Sequence, residues 1–532
     1  MGYGQRGLSA GASAGRVRRE TRTWAGLLAL AAALAMAPRA QAQSDDALKR
    51  VNDLYADIKP NRRSDLVVLP ALAKMTPPPE AVELVGRAIL IPAKAASFAP
   101  AKAWAEAPPQ KAVLESLAAV TKEDNFQSAM YFGQPYGVEG VPIELVKAEL
   151  YSELGDPPTL ANARFLYLRR LEWAASLAHV EATRLLAAGD ADAAMKTMLN
   201  WLFFSRQIAE RETLGEKRWG VKQVELALER LRDLAYTDFR APTHGLDVVK
   251  IQEINKRLRD REGFLGLERL RLPRADRIAA EQLIGRVFVP KGNANPEAFG
   301  PMMAQVSTRD RPLRLFSESG RWTALAAQHA GWFETLDRLE KIANDWSRRW
   351  ALEAFDPVLR TPTDFEKIDR VKYATIVAAM GDAKSLFDAR QRLRAEAVGT
   401  RTALGMYGYF LKQKTFPPEG GLSAIRPEFV PLLENDPYNS GKRPLEFFVP
   451  IRDQVFGPRE TPRPHTVRVF NDFGNVAVDI SLGQDQFVLY SVGPDDSKGF
   501  AKEAAKDGGD YLIWPPMVSL YRQYLIDNGQ MN

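Results

Sequence analysis

Apolar residues recur at helical spacing through most of the chain. On one face fall Leu168, Leu171, Ala175, Ala178, Ala182 and Leu185. Gly189-Asp190 then closes that helix and opens the next, since glycine suits a C-terminal cap and aspartate an N-terminal one. The next stripe is Ala194, Met198, Trp201, Leu202 and Ile208, and a third is Val221, Val224, Leu228, Leu231 and Ala235. Further on, Trp332, Leu336, Leu339, Ala343, Trp346 and Trp350 repeat the pattern. Each stripe must be buried against a neighbour, and short connections favour antiparallel packing. No period of about 34 residues emerges, so the expectation is irregular helical hairpins rather than a repeat solenoid. A long helix is expected over Lys384–Gln413, with Leu386, Leu393, Ala397, Leu404, Tyr407 and Leu411 on one side.

Either side of this helical region the pattern changes. A short helix is expected at Asp45–Ile58, followed by a stretch punctuated by Pro70, Pro77-Pro78-Pro79, Pro92, Pro100 and Pro108-Pro109, which limits helix length. The segment Phe288–Arg314, rich in Pro, Gly and Asn, reads as a loop or boundary. Ser317-Glu318-Ser319-Gly320 reads as a helix start, because serine caps well. Beyond Phe416, strand-like runs appear at Leu445–Val449, Val467–Phe470, Val476–Ile480 and Phe487–Val492, separated by turn residues. A short helix, Val518–Asp527, closes the chain. The fold class expected is mainly α, with a small C-terminal α+β module built on an antiparallel sheet. The expected organisation is a signal peptide over 1–42, a proline-rich short-helix region over 43–141, and a helical domain over 142–360. A helical segment over 361–413 and the α+β module over 414–532 complete it.

The N-terminus changes the picture of charge. Arg16, Arg18, Arg19 and Arg22 precede the apolar run Trp24–Ala37, and Ala40-Gln41-Ala42 offers a small-x-small cleavage site, the three parts of a secretory signal. The run is shorter than the roughly 20 residues of a membrane span. The segment carries six of the 72 basic residues and one of the 66 acidic ones, so net charge falls from +6 to +1 once it is removed. Basicity is then no argument for nucleic-acid binding. An exported protein, periplasmic or extracellular, with no stable membrane span after cleavage is the expectation. The absence of cysteine from the sequence rules out disulfides, thiolate metal sites and a cysteine nucleophile.

Candidate chemistry is sparse. His179, His244, His329 and His465 fit no HExxH spacing, and neither a G-x-S-x-G elbow nor a phosphate-binding loop is present. The tryptophans Trp173, Trp201, Trp219, Trp322, Trp332, Trp346 and Trp350 sit at core spacing among Leu and Ala.

The C-terminal motifs are more specific as an ordered set. After the long helix come FPPEGGLSAIRPEFVP (Phe416–Pro431), NDPYNSGKRPLEFF (Asn435–Phe448), FVLYSVGPDD (Phe487–Asp496) and DGGDYLIW (Asp507–Trp514). This order resembles the C-terminal globular part of the major pseudopilins of type II secretion systems, over Lys384 to Trp514. The resemblance implies a loop that binds calcium. Residue by residue, Ser491 matches the serine, and Asp495 the aspartate after the Ser-x-Gly step, with Asp496 beside it. Asp507 and Asp510 match the acidic end of the loop. Calcium takes about six to eight oxygen ligands, which carboxylates and carbonyls of a Gly-containing loop can supply. Lys498, Lys502 and Lys506 dilute the negative charge of this loop. The chain departs from the family in two ways. No prepilin cleavage motif precedes the Lys384 helix, so pilus assembly in the usual way is not implied. The segment between Asp453 and Asp485 is also longer than the family's turn.

The expected function is therefore a non-catalytic binding or scaffold protein of the bacterial envelope, with an envelope protein as partner and no nucleic acid. The competing expectation is an envelope hydrolase acting on glycan or peptide through a carboxylate pair. A deep pocket with two or more buried carboxylates would point to the hydrolase, and an open apolar groove, or no pocket, to binding.

Overall fold

The structure, a computed structural model, describes residues 46–121, 129–259, 265–309, 315–470, 477–504 and 509–531. The expected signal peptide and Asp507 lie outside the described residues. Helix α1 covers residues 46–56. The proline-punctuated stretch forms short helices, α2 (Asp65–Lys74), α3 (Val85–Leu90), α4 (Phe98–Glu106) and α5 (Pro108–Ala119), followed by α6 (Ile143–Lys147). Pro108 opens α5 at a position whose N–H would have no helical partner. A two-residue antiparallel pair, β1 (Ser152–Glu153) and β2 (Arg164–Phe165), leads into the long helices.

These are α7 (Tyr167–Ala187), α8 (Ala191–Ala209) and α9 (Leu214–Arg240). Their connections are as short as the stripes require. Gly189 takes φ +84°, and the Asp190 carboxylate accepts the Ala193 N–H at 3.0 Å, capping α8. Helices α8 and α9 meet so closely at Gly220 that a Cβ there would lie 2.3 Å from the backbone nitrogen of Ala209. Trp201, fully buried on α8, is part of the largest core; removing such a side chain costs about 3–5 kcal/mol. After α10 (Val248–Arg257) the chain forms a second, smaller core from α11 (Ala275–Val287), α12 (Pro296–Ser307), α13 (Leu315–Leu325), α14 (Trp332–Arg349) and α15 (Ala374–Ala379). Leu339, Ile342 and Trp346 of the expected α14 stripe are buried there.

Helix α12 corrects the loop expected across Phe288–Arg314. Asn295 caps it by accepting the Glu297 N–H, and Pro296 sits at its first position. Both residue types break a helix in its interior and start one at its N-terminus. Helix α13 likewise begins at Leu315, two residues before the expected serine cap.

Helix α16 (Lys384–Gln413) follows the expected bounds and is buried almost all round from Ala395 to Gly408. The C-terminal strands form two three-stranded sheets rather than one. β3 (Glu446–Phe448), β6 (Val488–Ser491) and β8 (Tyr511–Trp514) pair antiparallel in the order β3-β6-β8. β4 (His465–Phe470) pairs antiparallel with β5 (Ala477–Leu482) and, over two residues, parallel with β7 (Glu503–Ala504). Phe448, Val467, Val488 and Leu512 fill a small core here. The other face of the β3-β6-β8 sheet joins the main helical core through Phe447, Phe487, Leu489, Ile513 and Trp514. The last helix, α17 (Met517–Asp527), returns to α9, where Arg522 pairs with Asp233 at 2.7 Å. The chain is mainly α with a small α+β C-terminal part. Among the described residues no helix is long and apolar enough to cross a membrane.

Candidate functional site

In the C-terminal module, Ser491 lies buried on β6 and its hydroxyl donates to the Asp436 carboxylate at 2.8 Å. The same carboxylate accepts the N–H groups of Val492 (2.9 Å) and Tyr438 (3.1 Å), which pins the Asp-Pro-Tyr turn to the end of β6. Gly493 takes φ +66°, and its missing side chain lets the Gly509 carbonyl approach; a Cβ would lie 2.0 Å from that oxygen. Asp510 is buried at the start of β8, with its oxygens accepting the N–H groups of Gly499 (3.2 Å) and Ala501 (2.6 Å). Asp495 is exposed and accepts the Ser497 N–H, and Asp496 accepts the Ser440 N–H at 3.2 Å.

Burial pushes the Asp510 carboxyl up to about 6; its two backbone donors oppose this and the charges of Asp495 and Asp436 add to it. Burial also raises Asp436. The fold thus brings Ser491, Asp436, Asp495, Asp496 and Asp510 into one neighbourhood, although among the described residues no three carboxylate or imidazole groups are placed to hold a metal ion. Lys498 pairs with Glu446 at 2.7 Å. Asp436 is absent from the residues that the sequence resemblance carried over, although it stands in the quoted Asn-Asp-Pro-Tyr motif.

A second site lies where the two helical cores meet, built on the turn between α8 and α9. Thr213 caps α9 by accepting the Glu216 N–H at 3.3 Å, and its hydroxyl donates to the Glu216 carboxylate at 2.6 Å. That carboxylate, fully buried, also accepts the Tyr136 hydroxyl (2.6 Å), the Tyr167 hydroxyl and Arg211 Nε (2.8 Å). The Arg211 guanidinium lies over the rings of Tyr55 and Tyr136, 4.1 and 4.4 Å from their centroids. With the carboxylate and the phenols around it, the guanidinium is held well above its ordinary range despite burial.

Helices α9 and α11 cap each other. Asp276, the second residue of α11, accepts the Leu214 N–H at 2.8 Å. In return Glu212 accepts the Arg274 N–H through its carboxylate and the Ala275 N–H through its carbonyl (2.9 Å). Arg274 also forks onto the Glu212 carboxylate. Burial pushes Asp276 up to about 7, while the Leu214 N–H pulls the other way.

This joint forms one wall of a cavity of about 710 Å³. Thr213, Leu214 and Gly215 open it on the α9 side, Asp276 and Ala279 on the α11 side, and the end of α15 through Gly381 faces them. Phe165 and Leu166 add an apolar wall. Four exposed arginines also line it: Arg164, Arg169, Arg218 and Arg309. Arg164 pairs with Glu153 at 2.9 Å, Arg218 donates through one nitrogen to the Asp382 carbonyl and the Ser385 hydroxyl, and Arg309 donates to the Ala161 carbonyl. Arg169 has no hydrogen-bond or ion-pair partner for its guanidinium among the described residues; its guanidinium carbon lies 6.0 Å from the centroid of the Trp173 ring. The carboxylates in the lining are the half-buried Asp276 and the exposed Glu149.

None of these cavity residues was singled out from the sequence. The available signal was local: Thr213-x-x-Glu216 has capping-box spacing. His179 is packed inside α7, fully buried, with both ring nitrogens lacking a hydrogen-bond partner among the described residues. No protein-family model, curated protein or solved structure matches the chain.

Proposed function

We propose that this is an exported, non-catalytic binding protein of the bacterial envelope, and that the cavity between its two helical cores is the recognition site. The observation that carries this reading is the cavity itself. Its volume falls in the range of small-molecule sites, about 300–1,000 Å³, and it combines apolar walls with a few polar groups. Its α9–α11 wall is fixed by reciprocal, part-buried hydrogen bonds, so the shape is preorganised. A hydrolase needs a second carboxylate set against Asp276, and the other acid in the lining, Glu149, is exposed. The site is thus neither the buried acid pair of a hydrolase nor an open apolar groove, and its form suits a compact ligand.

The C-terminal module is proposed as an accessory recognition element of pseudopilin type, stabilised by calcium near Ser491, Asp495, Asp496, Asp507 and Asp510. What supports this is that Asp436 and Asp510 are buried carboxylates without an ion-pair partner among the described residues. A hard cation would offset that uncompensated charge.

The test of the binding reading is native mass spectrometry of the purified protein after incubation with a small-molecule extract of bacterial envelope. A retained ligand is expected for the unaltered chain and not for Ala378→Trp, which fills the cavity. Retention by both proteins, or by neither, would reject the cavity as the site.

A further inference from the structure

We infer that the cavity takes a ligand carrying a carboxylate or phosphate group, which the guanidinium of Arg169, together with that of Arg218, holds at the mouth. This rests on the binding reading above and names the chemical class of its ligand. With Arg164 paired to Glu153, three guanidiniums still face two carboxylates in the lining, so the space carries an excess of positive charge. Arginine matches planar or tetrahedral oxyanions because its forked donors can bond two oxygens at once. The other guanidiniums are engaged at least in part by protein acceptors, whereas Arg169 brings its donors to the cavity unspent.

The interior carboxylate is already engaged: Asp276 accepts the first N–H of α9 at 2.8 Å. With its carboxyl pushed up to about 7, Asp276 is part-protonated near neutral pH and opposes an incoming anion less than an ordinary aspartate would. Phe165, Leu166 and Leu214 provide contact for an apolar portion of the ligand, which distinguishes the site from a bare anion hole.

The experiment is thermal unfolding and calorimetric titration of the purified protein at low ionic strength with three probes: succinate, inorganic phosphate and the uncharged mannitol. Succinate or phosphate should raise the unfolding midpoint and bind, and the two arms separate the carboxylate from the phosphate source. Arg169→Gln and Arg218→Gln should each weaken that binding about tenfold or more, as expected for loss of a hydrogen bond to a charged group. Because Arg169 is exposed and its guanidinium makes no hydrogen bond among the described residues, its variant should keep the wild-type melting curve without ligand. Equal binding of anions to the variants would overturn the assignment, as would the absence of anion binding. If mass spectrometry finds a neutral ligand that Ala378→Trp excludes, the binding reading survives and this inference falls. If no ligand is retained, the binding reading itself fails.

Discussion

Glu216→Ala tests the joint between the two cores. The substitution removes the acceptor shared by Arg211, Thr213, Tyr136 and Tyr167, all gathered around one fully buried carboxylate. Leaving a buried guanidinium without its partner costs about 3–5 kcal/mol. The stranded hydroxyls add to that, at about 1–3 kcal/mol for each one that finds no new partner. Retained ring contacts between Arg211 and the two tyrosines offset part of the loss, at about 1–2 kcal/mol. A net loss near 4 kcal/mol is expected, which corresponds to a fall of roughly 8–16 °C in melting temperature if the unfolding unit is about 150–250 residues. Circular dichroism and tryptophan fluorescence, followed through urea and heat, measure it. The double variant Arg211→Met, Glu216→Gln should be less destabilised than Glu216→Ala alone, because no charge is left buried. A single variant within about 1 kcal/mol of wild type, or a double variant at least as unstable as Glu216→Ala, would refute the description of this cluster as a buried, mutually satisfied ion pair.

Three further outcomes are expected. His179 is held neutral by burial and by the positive charges of Arg230 and Arg522, against the attraction of Asp233. An unfolded imidazole protonates near 6.5 while the folded one does not, so stability should fall as pH drops below that value, by up to about 1.4 kcal/mol per pH unit; a urea midpoint as steep in His179→Leu as in wild type between neutral and mildly acid pH would contradict this. Gly220→Val should prevent α8 and α9 from closing and cost several kcal/mol, read as loss of soluble folded protein or a large drop in melting temperature, whereas Gly320→Ala, with open space around it and an ordinary helical backbone, should be far milder. Millimolar calcium should raise the melting temperature of the unaltered protein if the ion binds only the folded state. That rise should shrink in Asp510→Asn, and no rise at all would reject the calcium proposal.

Helix α14 was legible as a stripe because its burial is one-sided, with Leu339, Ile342 and Trp346 turned inward. The bounds of α16 were legible as well, although it is buried almost all round in its second half, and α17 begins one residue ahead of its expected start. Helix α12 was not legible, since Asn295-Pro296 and Gly300 look like breakers in a single sequence. Gly300 instead lets α13 pack close, with Thr323 in the space a Cβ would need. The cavity was hidden for another reason. Arg211, Glu216 and Lys217 look like the solvent face of a helix, yet all three are buried. Periodicity counts apolar residues, and it cannot tell a solvated charge from one enclosed by partners that lie 80 residues away, as Tyr136 does from Glu216. The C-terminal aspartates were found through ordered motifs, whereas Asp436, which ties their loop to the sheet, is recognisable as an anchor only once β6 is seen beside it.

The stacking of Phe487 on Trp514, within a core that also holds Trp201 and Leu228, has a consequence for biogenesis. Synthesis from the N-terminus delivers the helical hairpins long before the strands that seal them. Until the last few dozen residues emerge, the flank of α9 and α16 that those aromatics cover is wet and adhesive. The nascent chain must therefore be shielded over nearly its whole length, and a premature stop ahead of Phe487 should yield a sticky intermediate rather than a smaller stable protein.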